Sequence, residues 1–298
     1  MRRRSGLGIL LIFCILTGML LEPAEQVRAK KKLSDYSTRT YCWGLGQNTR
    51  HQKPAGSGPR GWKLKKYNAY YVGPHSKKDK VVYLSFDCGY EAGYTKRILN
   101  TLKKCKVKAI FFVTEAYIKE TPKLVKRMKR EGHLVGNHTC THPQMSKLGV
   151  KRLKREILQC ARTMKKLTGY EMDKFIRPPE GNFSMRSIKV AQSLGYATIF
   201  WSLAYYDYDT NRQPGKEYVI NRFKTYYHNG MIPLIHAVSK SNTQALPTVI
   251  KYLKKKGFRY GTLDEIYPKE EEENIEEESQ NKNTLQMRQE NFMRQMKS

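Results

Sequence analysis

The sequence predicts an α/β protein whose parallel sheet is closed, or nearly closed, into a barrel. From Val81 onward, short runs of β-branched and aromatic residues alternate with longer segments of helical character. Repeated β–α units of this length build a parallel sheet with helices packed outside it. About seven strand segments follow one another, fewer than in the standard eight-stranded barrel. Several of them end on reactive side chains, and barrels of this kind carry their chemistry at the carboxyl ends of strands.

Each element has its own signal in the sequence. The predicted strands are 81–88, 109–113, 133–136, 174–177, 196–203, 231–235 and 258–261. The predicted helices are 94–105, 122–130, 151–167, 185–194, 217–227 and 244–255. The first and third helices carry apolar residues at helical spacing. Pro122 suits a first helical turn, whereas Gly169 and Gly195 end the helices before them.

The chain divides into four predicted regions. These are a signal peptide or N-terminal membrane anchor (1–29), a basic N-terminal extension (30–72), the α/β domain (73–267) and a charged, disordered tail (268–298). Three arginines at 2–4 precede an apolar run over 7–21, which is the composition of a secretory signal or a short uncleaved anchor. The tail opens with a run of glutamates and predicts no packed structure.

Composition narrows the partners of the protein. The chain has 56 Lys and Arg against 26 Asp and Glu, a formal net charge of +30. This charge favours nucleic acid, membrane lipid or the acidic polymers of a bacterial wall. Export argues against nucleic acid, so we expect an extracytoplasmic protein held at an anionic wall or membrane surface. Of the 6 cysteines, those beyond the signal show no framework spacing and predict no disulfide scaffold.

Two pairs of reactive residues suggest a metal site. Asp87 and Cys88 end the first strand, and His138 and His142 lie four residues apart after another strand. On a helical turn this spacing places both imidazoles on one side, as a divalent metal requires. Histidines at this spacing also occur as structural residues. At a barrel mouth beside Asp87 and Cys88, a metal site is the favoured interpretation.

Further strand ends supply candidates for acid–base chemistry. A histidine after an apolar strand is often structural, but His236 at the same barrel mouth is a natural general acid. Arg177 beside Asp87 would hold that carboxylate ionised and oriented. Asp207 would do the same for His236 by keeping its imidazolium form available.

Five ordered motifs resemble one family. They are Ser-Phe-Asp-Cys-Gly at 85–89, His-Thr-Cys-Thr-His at 138–142, Arg-Pro-Pro-Glu-Gly at 177–181, the aromatic stretch 201–208 and Leu-Ile-His at 234–236. Together they resemble the polysaccharide deacetylase family (carbohydrate esterase family 4) over roughly 73–267. The resemblance implies a distorted (β/α)7 TIM-like barrel that hydrolyses the acetyl amide of N-acetylated sugars. Finer features are similar to the sporulation-linked branch that acts on peptidoglycan N-acetylmuramic acid, on the route to the muramic δ-lactam of spore cortex.

The resemblance implies a role for each matching residue. Asp87 matches the general base and Arg177 its tether, whereas His236 matches the general acid and Asp207 its partner. The remaining matches are the metal-binding pair His138 and His142, the oxyanion donor at the Glu180 backbone N–H, the turn residue Gly181, and the acetyl-pocket residues Trp201 and Tyr208. Tyr208 replaces a tryptophan that is common in the family.

Cys88 departs from the family, which usually has an aspartate there as the third metal ligand. A thiolate is a competent ligand, and sulfur favours zinc over manganese or magnesium. We therefore expect Zn²⁺ held by Cys88 and the two histidines. In the alternative, Cys88 packs as a small apolar residue, and the metal is held by two histidines or is absent.

Rival hypotheses concern the substrate and the activity. The protein would be a monomer that binds peptidoglycan glycan strands and deacetylates N-acetylmuramic acid. One alternative is a deacetylase for N-acetylglucosamine in the wall or in another polysaccharide. Another is a metal-depleted homologue that binds glycans without cutting them.

Overall fold

The computed structural model describes residues 31–46, 51–59 and 61–266. The predicted signal or anchor (1–29) and the predicted tail (268–298) lie outside these residues, so both stay predictions. Every helix in the described part of the chain is too short or too polar to span a bilayer.

Short strands and longer helices alternate along the described chain. The strands are β1 (Tyr41–Cys42), β2 (Ala69–Tyr70), β3 (Val81–Val82), β4 (Ser85–Cys88), β5 (Ile110–Val113), β6 (Leu134–Asn137), β7 (Phe175–Ile176), β8 (Asn182–Phe183), β9 (Ala197–Ile199), β10 (Leu234–His236) and β11 (Arg259–Tyr260). The helices are α1 (Thr95–Cys105), α2 (Glu115–Glu120), α3 (Pro122–Arg130), α4 (Val150–Thr168), α5 (Met185–Ser193), α6 (Lys216–Tyr226) and α7 (Lys240–Lys255).

A curled parallel sheet forms the centre of the fold. Among the described residues it has seven strands in the order β10-β4-β5-β6-β7-β9-β2, and all neighbouring pairs are parallel. Beyond the regular strands, Leu203 pairs with Pro233 and Val72 with Met231 through isolated bridges. Because these bridges replace a continuous ladder between the two ends of the sheet, the barrel is distorted, as predicted.

The strand register brings candidate residues to one level of the barrel. His236 of β10 lies beside Asp87 of β4, which in turn lies beside Phe112 of β5. Side chains at alternate positions of a strand point to opposite faces. Phe112 and Ile110 belong to a cluster formed mainly by strand residues, whereas Phe86 and Cys88 belong to the cluster that includes the apolar faces of α1 and α7.

The predicted helices agree closely with the structure. Helix α3 has the predicted bounds, and α4 ends at Gly169, whose φ of 81° is the left-handed conformation expected of a helix-ending glycine. The six-residue helix α2 was not predicted, because it is too short to show helical periodicity. The first predicted strand is interrupted, and its two parts pair with different neighbours as β3 and β4.

The N-terminal extension takes part in the barrel. Its strand β2 is the seventh strand of the main sheet, whereas the predicted last strand, β11, pairs with β3 in a separate sheet. Trp43 of the extension is 4% exposed and stacks on Phe200 at 4.5 Å between ring centroids. The predicted boundary at 72/73 therefore lies too late in the chain, because a two-residue strand gives no periodic signal.

Candidate active site

A cavity of about 1080 Å³ opens where β4, β6 and β10 end. Its walls include the predicted site residues Asp87, His138, His142, Glu180, Trp201, Tyr208 and His236. Arg177 and Asp207 stand behind this wall, each bonded to a residue that lines the cavity. The ends of β4 and β10 and the segments that follow β6, β7 and β9 thus bring together most of the residues that the sequence singles out.

Asp87 is held from behind by a fully buried arginine. Arg177 Nη1 donates to Asp87 Oδ1 at 2.7 Å, and its Nη2 donates to Ser85 Oγ at the same distance. The guanidinium carbon lies 4.3 Å from the ring centroid of Phe112. Burial opposes the charge on Asp87, but Arg177 and the nearby histidines lower the pKa of this carboxyl below its ordinary value. Its second oxygen, Oδ2, is left beside His138 Nε2 at 3.6 Å.

His236 is paired with a fully buried carboxylate. Asp207 accepts hydrogen bonds from His236 Nδ1 at 2.6 Å and from its backbone N–H at 2.9 Å. Burial alone would lower the pKa of His236, but the charge and hydrogen bond of Asp207 raise it above its ordinary value. The imidazolium form is therefore stabilised, and the ring nitrogen that does not bind Asp207 is available to the cavity.

His138 and His142 approach each other through an irregular loop. The loop follows β6, and two of its residues, Thr139 and His142, have left-handed φ angles of 68° and 54°. The two imidazole centroids are 4.9 Å apart. The prediction of a helical turn is thus wrong, although the prediction that the rings meet is confirmed. From α4, the carboxylate of Glu156 holds this loop by accepting bonds from the N–H and hydroxyl of Thr141 at 2.9 and 3.0 Å.

The histidine pair has the chemistry of metal ligands. His138 Nδ1 lies 2.8 Å from the Arg177 carbonyl oxygen, which can only accept, so this nitrogen carries the proton and Nε2 offers a lone pair. Burial lowers the pKa of His138 to about 4, and it also lowers that of His142. Both imidazoles are therefore neutral near pH 7, as a metal requires. These two residues fit a divalent cation.

Cys88 does not join the histidine pair, and the prediction that it is the third metal ligand is corrected. It follows Asp87 directly in β4, so the alternation of the strand turns it to the other face, where it is fully buried in the apolar cluster that also contains Ile98 and Leu99. Burial raises the pKa of its thiol well above the ordinary value. Within the described residues, no three His, Cys, Asp or Glu side chains converge as a metal site.

A tight turn and two aromatic residues complete the cavity wall. Glu180 and Gly181 are consecutive residues with left-handed φ angles of 54° and 66°. A Cβ on Gly181 would stand 2.7 Å from the Trp201 ring, so this position requires glycine. Tyr208 is 56% exposed, and its ring lies 5.7 Å from that of His236. The assignment of the Glu180 N–H as an oxyanion donor stays a prediction.

Several supporting residues were missed by the sequence analysis. Ser85 lies two positions before Asp87, and this strand spacing could have placed it on the same face. Glu156 and Asn242 had no usable signal, because the first acts through Thr141 of the histidine loop and the second reaches Asp207 from another element. Such contacts become visible only in the folded structure.

Together, the fold and the site define a class of protein: a distorted barrel with an arginine-bound carboxylate, an aspartate-bound histidine and a histidine pair in one cavity. The chain belongs to the polysaccharide deacetylase family, whose model matches residues 75–199. It is 38% identical over 224 residues to peptidoglycan-N-acetylmuramic acid deacetylase PdaA of Bacillus subtilis. This alignment covers 75% of this chain and 84% of that protein.

Solved structures and a second relative show the range of this family. The structure of Bacillus subtilis PdaA, a family 4 carbohydrate esterase, superposes with a TM-score of 0.72 and covers 76% of this chain and 97% of that one. A peptidoglycan-N-acetylglucosamine deacetylase of Bacillus cereus is 32% identical over 70% of this chain and 75% of that protein. A family 4 pseudoenzyme of Bacillus anthracis is 30% identical, with a TM-score of 0.60, and covers 66% of this chain and 68% of that one. The relatives thus include deacetylases for two sugars and a pseudoenzyme.

Proposed function

We propose that this protein removes the acetyl group from N-acetylmuramic acid in peptidoglycan by hydrolysing its amide. The observation that carries the proposal is the cavity in which Asp87, kept ionised, and His236, favoured as imidazolium, stand on neighbouring strands. Groups whose surroundings push their pKa values in opposite directions are suited to act as base and acid in one reaction.

The base side of the reaction follows from the contacts of Asp87. Arg177 occupies Oδ1, so Oδ2 is the atom that accepts the proton of the attacking water. The guanidinium is fixed by Ser85 and the aromatic face of Phe112, and it therefore fixes the carboxylate in turn. Attack by the oxygen of this water on the acetyl carbonyl carbon forms a tetrahedral intermediate.

The acid side follows from the contacts of His236. Its Nδ1–H is engaged by Asp207, so Nε2–H is the group that protonates the sugar nitrogen. The C–N bond then breaks, and acetate and the free amine depart. The turn at Glu180 and Gly181 would place a backbone N–H toward the developing oxyanion, in keeping with the family's pattern.

We propose that His138 and His142 hold a divalent cation in this cavity. When bound, such an ion supplies Lewis-acid polarisation of water and of the acetyl carbonyl. Zinc was expected because of the Cys88 sulfur, which the structure places elsewhere. Two neutral imidazoles still suit zinc among several transition metals.

Similarity to PdaA supports the choice of N-acetylmuramic acid. We also propose a role in sporulation, export of the protein and its attachment at the anionic wall. The basic composition provides the electrostatic reason for the attachment. The test is to incubate the protein with peptidoglycan, with and without prior removal of the peptide from muramic acid, and to identify the deacetylated sugar by mass spectrometry of the fragments. Deacetylated muramic acid is expected. If only glucosamine is deacetylated, N-acetylglucosamine is the substrate instead. If both sugars keep their acetyl groups with every divalent metal supplied, the proposed activity is refuted.

A second candidate, a glycan-binding homologue without activity, is favoured by one observation. Cys88 stands where the family usually has a metal-ligating aspartate, and its thiol lies in the core. The protein would then bind peptidoglycan fragments but release no acetate. Acetate release and fragment binding, measured on the same preparation, distinguish the two functions.

A further inference from the structure

We propose that Asn242 is a positioning residue for the general acid, acting on His236 through Asp207, and that Tyr205 fixes Asn242 in turn. The inference rests on the proposed function, since it takes His236 to be the group that protonates the leaving amine. It adds two residues from distant parts of the chain to the machinery around that histidine.

Asn242 is bonded to both ends of the acid–carboxylate pair. Its side-chain nitrogen Nδ2 donates to Asp207 Oδ2 at 2.6 Å and to the His236 carbonyl oxygen at 3.2 Å. Asn242 is 3% exposed, and Asp207 is fully buried. The two amide hydrogens are therefore both used, one on the carboxylate and one on the backbone of the histidine that this carboxylate orients.

The orientation of the Asn242 amide is determined by its partners. An ionised carboxylate can only accept, so Nδ2 and not Oδ1 must face Asp207. The amide oxygen then faces the hydroxyl of Tyr205, which donates to it at 2.9 Å. The ring of Tyr205 is held edge-on by Tyr218 and Phe223 of α6, at centroid distances of 6.2 and 6.1 Å. A chain of hydrogen bonds thus runs from Tyr205 to His236.

The two residues at the centre of this hydrogen-bond series, Asp207 and Asn242, are carried by different kinds of backbone. Asp207 lies in the irregular segment between β9 and α6, so its own backbone belongs to no helix or strand. Asn242 lies in the first turn of α7, where its backbone N–H donates to the side chain of the N-cap residue Ser239 at 3.2 Å. A helix therefore supplies the fixed point for a carboxylate that is carried by a loop.

The position of Asn242 predicts that its loss affects substrates with an amine leaving group more than substrates with a phenolate leaving group. With Asn242 in place, Asp207 keeps Oδ1 on His236 Nδ1, and the ring presents its other N–H to the cavity. Loss of the amide removes the shorter of the two hydrogen bonds to Asp207 Oδ2 and leaves only the His236 backbone N–H to hold that oxygen. The carboxylate and the imidazole are then less firmly oriented, which harms proton delivery to the leaving atom. An amide needs that proton, because a free amide anion is too basic to depart. An activated ester such as 4-nitrophenyl acetate releases a stable phenolate without it.

The experiment compares Asn242→Ala with the wild-type protein on an N-acetylmuramic acid-containing glycan fragment and on 4-nitrophenyl acetate. We expect kcat on the amide to fall by about 10–100-fold, as for removal of a supporting residue behind a catalytic group, with KM nearly unchanged. Hydrolysis of the ester should change by less than about threefold. Tyr205→Phe removes only the terminal hydroxyl, so it is expected to show a smaller loss with the same preference for the amide.

The matched control is Thr243→Val, the next residue of α7. Its hydroxyl bonds Ser239 and not Asp207, so both substrates should react as with the wild type. Equal losses on amide and ester in Asn242→Ala and in Tyr205→Phe would show a merely structural role and overturn the inference. Unchanged amide turnover in both variants would overturn it as well. A wild-type protein that hydrolyses the ester but no amide would instead refute the proposed function, and the inference with it.

Discussion

At the residue scale, two aspartates of similar burial serve different partners. Asp87 is 5% exposed and is bonded to an arginine, whereas Asp207 is fully buried and is bonded to a histidine. A buried carboxylate is tolerated only when its charge is paired and its oxygens are hydrogen-bonded. Each partner therefore stabilises its aspartate. In the proposed reaction, Arg177 orients the base and His236 is the acid.

Loss of the Asp87 charge should abolish turnover without unfolding the protein. In Asp87→Asn the amide accepts no proton from water, so we expect kcat to fall by at least about 10²–10⁴-fold. The matched control is Asp79→Asn, since Asp79 is only partly buried and is bonded to Arg259. Acetate release measures the rate, and circular dichroism checks the fold. A folded Asp87→Asn protein with near-normal turnover would exclude Asp87 as the base.

The pH profile should reflect the opposite pKa shifts of base and acid. Asp87 has a lowered pKa and stays ionised below its ordinary 3.8, whereas His236 has a raised pKa and keeps its proton above its ordinary 6.5. Because turnover needs the first ionised and the second protonated, kcat/KM should fall as pH rises through the raised pKa of His236. Asp207→Asn removes the charge that raises this pKa and should move the alkaline limb to lower pH. If the alkaline limb does not move in Asp207→Asn, it reports the titration of a group other than His236.

Cys88 should tolerate loss of its thiol better than gain of a charge. Because the side chain lies in the apolar core, Cys88→Ala should bind metal and turn over within about threefold of the wild type, at a stability cost of about 1 kcal/mol. Cys88→Asp buries a carboxylate among apolar groups and should cost several kcal/mol. Chelator competition and urea unfolding measure the two effects. If a folded Cys88→Ala protein loses most of its bound metal, the Cys88 thiol is a metal ligand after all.

At the element scale, the reactive residues lie where strands give way to irregular turns. β6 ends at Asn137, and the next residue, His138, begins a loop with left-handed positions at Thr139 and His142. The turn after β7 is similar, with left-handed residues at Glu180 and Gly181. Strained backbone of this kind persists only when its surroundings hold it in place. Here Glu156 of α4 holds the first turn, and packing against tryptophans restricts the second.

Gly181→Ala should damage the second turn. A methyl group there meets Trp201 at 2.7 Å and the Trp43 Cβ at 3.1 Å, and φ is +66°. We expect a loss of about 1–3 kcal/mol in unfolding free energy together with a lower kcat/KM. The control is Gly149→Ala, where no atom lies within 4 Å and φ is −72°, so the change should be within about 0.5 kcal/mol. Similar behaviour of the two variants would show that the turn can relax.

At the scale of the whole molecule, the barrel depends on the segment before it. Ala69 and Tyr70 form the strand beside β9, and Trp43 donates from its indole nitrogen to the Trp201 carbonyl oxygen at 3.0 Å. Trp43 therefore packs behind a tryptophan that lines the cavity. The extension is part of the catalytic domain in structural terms.

Two truncations should have opposite results. Removal of residues 1–29 eliminates no described contact and should leave acetate release unchanged. Removal of residues 1–72 takes away β2 and the buried Trp43, and loss of a buried tryptophan alone typically costs about 3–5 kcal/mol. We expect the shorter protein to lose cooperative urea unfolding. Cooperative unfolding with an unchanged midpoint would show that the extension only covers the barrel.

The linear sequence is sufficient to predict the barrel, the order of its main elements and most of the cavity residues. Asp87, His138, Arg177 and His236 follow apolar strand segments, and the parallel arrangement of strands brings such positions to one edge of the sheet. These conclusions depend on local periodicity and on residue type, both of which are present in the linear chain.

Which residues are in contact at the site became visible only in the folded protein. The pleat of β4 turned Cys88 away from the cavity although it is adjacent to Asp87, because consecutive strand residues face opposite sides. The role of β2 in the sheet and the bonds of Asn242 to Asp207 and His236 join residues far apart in sequence. Such contacts arise from packing and register, which no local pattern of residues specifies.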